Sequence, residues 1–137
     1  MTRTRLLVGV LSLAALLAGC ATAGVPERVE SDVTALDLGR RYTGWYYRGD
    51  LDRLWERFTP EMRDALDREE LAEVRDRLTR RLGREAELLD ERVERGDDDF
   101  RLYLRTVRFD RAPERAVLLF AIDGEGRIGG FYIRPAG

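Results

Sequence analysis

The chain has 137 residues, of which 24 are basic, 26 are acidic and none is histidine, and it has one cysteine, Cys20. Because acidic residues outnumber basic ones and alternate with them, the composition argues against a nucleic-acid-binding surface. The lack of histidine excludes an Asp-His dyad and any histidine-containing triad, and a single cysteine excludes an internal disulfide framework.

The first twenty residues have the layout of an export signal. Arg3 and Arg5 precede an apolar stretch at residues 6–17, which is too short to span a bilayer stably, and small residues precede Cys20. Leu17-Ala18-Gly19-Cys20 resembles the bacterial lipobox, which implies cleavage before Cys20 and lipidation of its thiol. Several acyl chains would then hold the domain at a membrane. The alternative is an ordinary cleaved signal peptide with an incidental cysteine.

These features predict three segments: a lipoprotein signal peptide at residues 1–19, a lipidated tether at 20–31 and one folded domain at 32–137. Ala21 follows the cysteine, where the sorting rule of diderm bacteria uses aspartate to retain a lipoprotein at the inner membrane. We therefore expect the outer membrane, facing the periplasm, if the organism is diderm. The expected partners are the membrane, through the lipid, and an envelope protein.

Four helices are predicted before Gly83. The first, from about Asp32 to Arg48, ends at Gly49, and Asp50 can cap a second with an apolar stripe. Thr59-Pro60 begins a very short third helix, and a capping box of Asp67 and Glu70 begins the fourth. Apolar residues recur at helical spacing in the first two helices: Ala35, Leu38, Tyr42, Trp45, Leu51, Leu54, Trp55 and Phe58.

Beyond Gly83 the pattern changes to that of strands, which we predict at residues 86–93, 100–109, 116–122 and 128–133. Arg95-Gly96-Asp97 and Asp123-Gly124-Glu125-Gly126 predict hairpin turns, the second of type I′ at Asp-Gly, and residues 111–114 join the middle pair. Helices followed by an antiparallel meander give an α+β domain, in which a curved four-stranded sheet wraps around the helices.

Three segments carry a family resemblance: Gly44 to Asp50, Leu54 to Met62 and Leu78 to Gly83. Their helix-Gly-helix-Thr-helix-Gly order before four strands resembles the nuclear transport factor 2-like superfamily, and within it the domain-of-unknown-function 3887 family. The resemblance covers residues 32–134. It implies a cone-shaped pocket between helices and sheet, dimerisation through the sheet, and a helper role, because related domains are often fused to hydrolases.

Enzymes of that superfamily place an Asp-His or Asp-Tyr pair in the cone, and without histidine the second pair remains. A buried aspartate can act as a base while a tyrosine hydroxyl stabilises a developing enolate. Our candidates are Asp37 with Tyr46 or Tyr103, although we favour a surface position for Asp37, because the helix face that bears it must be solvated.

An apolar ligand could be bound by the aromatic residues of the first two helices, although we favour core packing for them. Those candidates are Tyr42, Trp45, Tyr46, Trp55 and Phe58. We predict no cofactor and no metal, because Asp97-Asp98-Asp99 lacks the spacing of a calcium loop.

Arg101, Tyr103 and Arg105 alternate with Leu102 and Leu104, so we expect the arginine face of this strand to point away from the helices. The leading functional hypothesis is a lipid-anchored, non-enzymatic envelope domain that acts as an interaction or accessory module. The alternatives are hydrophobic small-molecule binding in the aromatic cone and, more remotely, an isomerase or cyclase with an Asp-Tyr site.

Overall fold

A computed structural model describes residues 28–136, which form four helices followed by a four-stranded antiparallel sheet in the order β1-β2-β3-β4. The predicted α+β class and the helices-first order are confirmed. Cys20, the predicted signal peptide and most of the predicted tether lie outside the described residues. The helices are α1 (Asp32–Arg48), α2 (Leu51–Glu56), α3 (Pro60–Ala65) and α4 (Arg68–Leu82), and the strands are β1 (Glu85–Arg95), β2 (Arg101–Phe109), β3 (Ala112–Ile122) and β4 (Ile128–Pro135).

The helix ends follow the predicted caps with one exception. Asp67 accepts a hydrogen bond from the backbone N–H of Glu70, and the Glu70 side chain accepts one from the N–H of Asp67, so the capping box is present. Gly49 ends α1 at a φ of 80°, which glycine adopts at low cost. Asp50 precedes α2 but makes no side-chain cap bond, because its carboxylate lies 3.3 Å from Nε of Arg48.

The type I′ turn is not at Asp123-Gly124 but in the β1–β2 hairpin. There Asp98 and Asp99 have φ values of 51° and 62°, and the N–H of Phe100 donates to the carbonyl of Asp97 at 3.1 Å. In the β3–β4 turn the positive φ, 75°, belongs to Gly126. The Asp123 carboxylate explains the difference, because it accepts backbone N–H groups of residues 125 and 127 and so fixes a different turn.

The β2–β3 connection is shorter than predicted. Phe109 is already paired with Ala112, so only residues 110 and 111 form the turn. β4, in contrast, pairs with β3 only from Ala116 onward, where Pro135 is its partner. The first residues of β3 therefore extend past the end of β4.

The face of β2 that carries Arg101, Tyr103 and Arg105 points toward the helices, so the prediction of an outward arginine face was wrong. Tyr103 is fully buried against α1, and the arginine side chains are 17% exposed. Acidic partners explain this orientation. Asp32 of α1 binds Arg101, and Glu85 and Glu91 of β1 bind Arg105, so the arginine charges are neutralised beneath the helix.

The opposite face of the sheet carries the alternate residues of each strand. Leu104 of β2 pairs with Leu119 of β3, and Leu119 pairs with Tyr132 of β4, which is 62% exposed. Dimerisation through the sheet stays a prediction.

The core lies between α1 and the inner faces of β2, β3 and β4. Phe120 stacks on Phe131 with ring centroids 4.7 Å apart and meets the ring of Tyr42 edge-on at 5.8 Å. Apolar residues that are fully buried include Leu38, Leu54, Phe58, Leu71, Leu118, Ile122 and Ile128.

The domain has two distinct ends. At the first, which we call the tether end, the N–H of Val29 donates to the carbonyl of Gly124 at 3.0 Å, so the start of the domain lies beside the β3–β4 turn. At the other, the distal end, the N–H of Arg111 donates to the carbonyl of Leu82, which joins the β2–β3 turn to the end of α4. Strand β3 has 11 residues and therefore separates the two ends by roughly 36 Å. None of the helices within residues 28–136 is long and apolar enough to cross a bilayer.

Candidate functional site

Six polar side chains form one network between α1 and the β1–β2 pair; we call it the buried charge network. At its centre, Glu91 accepts hydrogen bonds from Arg40 (Nη2, 2.6 Å), Tyr103 (Oη, 2.6 Å) and Arg105 (Nη1, 2.9 Å). Its side chain is 9% exposed. The members are Arg40, Tyr47, Glu85, Glu91, Tyr103 and Arg105.

Arg105 extends the network to a second glutamate. Its Nη2 and Nε donate to the two carboxylate oxygens of Glu85 at 2.7 and 3.0 Å, the bidentate geometry that guanidinium favours. The hydroxyl of Tyr47 donates to the same carboxylate at 2.7 Å. Two guanidinium groups thus face two carboxylates, and their formal charges cancel.

Burial and hydrogen bonding set the protonation states in the network. Burial alone would raise the pKa of Glu91, but hydrogen bonds from Arg40 and Tyr103 and the nearby guanidinium charges outweigh it, so this pKa lies below its ordinary value of 4.5. Burial, followed by the hydrogen bond to Glu91, raises the pKa of Tyr103 to about 12. Burial likewise raises the pKa of Tyr47. At neutral pH the glutamate is therefore ionised and the tyrosines are neutral.

The network suits a structural role better than proton transfer. An ionised carboxylate has about four acceptor sites. All four acceptor sites of Glu91 are occupied by donors of the same chain. Arg40 donates through both Nε and Nη2, and Tyr103 and Arg105 each donate one bond. A substrate proton would have to displace one of these donors, whereas the network as built ties α1 to β1 and β2.

Asp37, the proposed base, lies at the surface and apart from Tyr46. Asp37 has a side chain that is 61% exposed and lies 4.0 Å from Arg40. Tyr46 is nine positions further along the same helix, about 13.5 Å along its axis. The carboxylate in contact with the Tyr103 hydroxyl is Glu91. The hydroxyls of Tyr47 and Tyr103 contact carboxylates within the buried charge network, namely those of Glu85 and Glu91.

The five aromatic candidates do not line one cavity. Tyr42 and Phe58 are 0% and 1% exposed and fill the core. The indole N–H of Trp55 donates to the carbonyl of Leu66, and the guanidinium groups of Arg63 and Arg68 lie 4.7 and 4.5 Å from its ring centroid. Trp45 is half-buried beside Tyr42, with ring centroids 5.5 Å apart. Core packing thus accounts for most of this set.

Tyr46 differs from the other four, because its buried hydroxyl has no hydrogen-bond partner among the described residues. The residue is 3% exposed, and burial raises its pKa to about 12. It lines a cavity of about 450 Å³ together with Tyr47, Arg75 and Glu85. Arg75 is held there by bonds to the carbonyls of Tyr46 and Tyr47 at 2.8 and 2.9 Å.

A second cavity, of about 490 Å³, opens at the distal end; we call it the distal hollow. It lies between α4, the part of β3 that extends past β4, and the end of β4. The residues that line it include Leu78, Arg81, Leu82, Ala112, Glu114, Arg115, Ala116, Ile133 and Arg134.

The sequence reasoning missed both the buried charge network and the distal hollow. A signal for the network existed, because in the predicted meander Glu91 can stand opposite Arg105, and opposite charges favour such cross-strand pairs. The hollow has no comparable signal, since three separate segments of the chain form it. Among residues 28–136, no group of three or more His, Cys, Asp and Glu residues is arranged to hold a metal ion.

Comparisons of the chain with protein-family models, with curated proteins and with solved structures found no match. The resemblance to the nuclear transport factor 2-like superfamily therefore stays a prediction from the sequence.

Proposed function

We propose that the chain is a lipid-anchored, non-enzymatic domain of the bacterial envelope that acts as an interaction or accessory module. The proposal rests on a contrast between two regions. In the interior, charged side chains pair with one another, whereas the distal end is open. The acceptor sites of Glu91 are occupied by donors of its own chain. At the distal end, Arg81, Arg115 and Arg134 surround an apolar hollow and make no ion pair with any described residue. The order of elements supports membership of the nuclear transport factor 2-like superfamily, a likeness of fold rather than of chemistry.

The anchor rests on the lipobox-like sequence that ends at Cys20. The test is expression in a diderm host with a clickable fatty acid, for the wild-type chain and for Cys20→Ser. We expect label and membrane fractionation for the wild type and neither for the variant. An unlabelled wild-type chain in the soluble periplasmic fraction would rule out the anchor.

The interaction role predicts a protein contact at the distal end. A photoreactive residue at Glu114, which lines the distal hollow, should give a discrete cross-linked product in cells. The control is Leu88 on β1, which is 45% exposed and lies outside the hollow. Arg115→Glu should weaken the Glu114 product. The same faint pattern from both positions would count against a partner at this end.

A specific observation also favours hydrophobic small-molecule binding. The distal hollow of about 490 Å³ lies within the roughly 300–1,000 Å³ of known small-molecule pockets. The aromatic cone is an unsuitable place for such a ligand, because core side chains fill it. Native mass spectrometry of the exported protein should then show a reproducible added mass, and its absence after gentle ionisation would argue against an endogenous ligand.

A further inference from the structure

The floor of the distal hollow is apolar and comes from three elements. Leu78 and Leu82 belong to α4, Ala112 and Ala116 to β3, and Ile133 to β4. The side chains of Leu78 and Leu82 lie one helical turn apart and so share one face of α4. Apolar walls of this kind take up apolar groups, because burial removes both surfaces from water.

The rim of the hollow is basic, and none of the described residues neutralises it. Arg81, Arg115 and Arg134 make no ion pair with any of residues 28–136, and Glu114 is the one carboxylate among the lining residues. Arg92 on β1, in contrast, lies between Asp90 and Glu94. Three unpaired guanidinium groups therefore lie beside the apolar hollow.

A second, much smaller space lies beside the hollow, beneath α4. A gap of about 20 Å³ shares Leu78, Leu82 and Ile133 with the hollow and reaches Tyr46, whose buried hydroxyl has no partner within the described residues. The helix above it buries just one residue fully, Leu71, near its start. The second half of α4 thus covers incompletely filled space.

We propose that the distal hollow binds a single-chain amphiphile with an anionic head group. The acyl chain lies on Leu78, Leu82 and Ile133, and the head group meets the guanidinium groups of Arg115 and Arg134. Guanidinium pairs bidentately with carboxylate or phosphate, so both a fatty acid and a monoacyl phospholipid have the required chemistry. The proposal rests on the ligand-binding candidate function and is independent of lipidation at Cys20.

Methyl NMR provides a readout that is specific for the site. The chain contains three isoleucines. Ile133 lines the hollow, whereas Ile122 and Ile128 are fully buried toward the tether end. The experiment uses the full chain in neutral phosphatidylcholine nanodiscs, with labelled isoleucine δ1 methyl groups, titrated with dodecanoate and, separately, with monoacyl phosphatidylglycerol.

Two further probes separate the contributions of chain and charge. Dodecyltrimethylammonium has the same alkyl chain with a cationic head, and acetate has the carboxylate without the chain. We expect a saturable shift of the Ile133 methyl signal with at least one of the two anionic amphiphiles and none with either control compound. The amphiphile that binds more tightly identifies the source of the ligand.

Charge-reversal variants test whether the anionic head group binds at the rim of the hollow. Arg115→Glu combined with Arg134→Glu should weaken binding about tenfold or more, because two charge-assisted contacts become repulsive. Both side chains are exposed or line the opening, so the fold should persist, and the unshifted Ile122 and Ile128 signals monitor it. The matched control is Arg95→Glu, an exposed arginine at the tether end, which should leave the affinity unchanged.

Three results would overturn the proposal: an Ile133 signal that neither anionic amphiphile shifts, equal shifts with the cationic amphiphile, or equal shifts of all three isoleucines, which would indicate unspecific partitioning. A failure here is distinguishable from failure of the anchor, which is read from labelling of Cys20, and from failure of the protein contact, which is read from cross-linking.

Discussion

The ring of Tyr103 packs directly on the backbone of Gly39. A Cβ on Gly39 would lie 2.6 Å from Cδ1 of Tyr103 and closer still to Cγ and Cδ2. The glycine therefore allows α1 to approach β2 within ring-to-backbone contact. This approach also lets the Tyr103 hydroxyl reach Glu91. The glycine at position 39 therefore helps to position the buried charge network.

Gly39→Ala should destabilise the domain by about 2 kcal/mol, because overpacking outweighs the gain of about 1 kcal/mol in helix propensity. The control is Gly44→Ala in the same helix, where the nearest atom to a new Cβ is the end of the Arg48 side chain at 3.0 Å. That variant should be neutral or slightly more stable. Urea unfolding measures both, and similar midpoints for the two would show that Tyr103 can move away.

Arg105→Met should cost about 3–5 kcal/mol, since it leaves Glu85 and Glu91 buried without their shared guanidinium. Arg108→Met is the matched control, because Arg108 lies on the same strand and pairs with Glu87 of β1, but at an exposed site. Its cost should stay below about 1 kcal/mol. Chemical denaturation gives both values, and equal costs would contradict a special role for the buried charge network.

Two tyrosines should respond in opposite ways to loss of the hydroxyl. Tyr46→Phe should stabilise the domain by about 1 kcal/mol, because it removes a buried hydroxyl without a partner. Tyr103→Phe should destabilise it by a similar amount, because it removes the 2.6 Å bond to Glu91. Thermal and urea unfolding of both variants provide the check. A destabilised Tyr46→Phe would mean that this hydroxyl has a partner in solution, such as a buried water.

Acid should weaken the domain through Glu91. Because the pKa of Glu91 is lowered in the folded state, the unfolded chain takes up the proton first as the pH falls below about 4.5. The stabilisation contributed by the ionised Glu91 carboxylate is complete above that pH and is lost as the pH falls through the folded-state pKa. Glu91→Gln should therefore be less stable than the wild type by about 2 kcal/mol at pH 7, and this difference should shrink in acid.

The control for that experiment is Glu94→Gln, whose carboxylate is 48% exposed and pairs with Arg92. Its effect should be small at every pH. A Glu91→Gln difference that stays constant from pH 7 into the acid range would show that ionisation of Glu91 does not contribute to stability.

Local features of the fold were predictable because single residues determine them. The Asp67–Glu70 capping box, Gly49 at the end of α1 and Pro60 at the start of α3 each act through their own backbone geometry. The turn type at Asp123 was missed, because its side chain competes with the expected Asp-Gly geometry by accepting two backbone N–H groups.

The orientation of β2 was missed for a different reason. Hydrophobicity alone assigns Leu102 and Leu104 to the inner face and the arginines to solvent. The chain instead places Arg105 inside, which is possible because Glu85 and Glu91 on β1 bind it there. Such a choice depends on charges from two strands and a helix together, so no single segment reveals it.

The hydrogen bond between Val29 and Gly124 attaches the chain to the folded domain at Val29. This attachment limits the distance between the domain and a lipid anchor at Cys20. If Cys20 carries lipid, eight residues lie between it and Val29, and eight residues span at most about 28 Å. The domain is then confined to a thin shell above the membrane. Within this shell an anchored binding partner meets the domain at a raised local concentration, which increases occupancy without any additional contact.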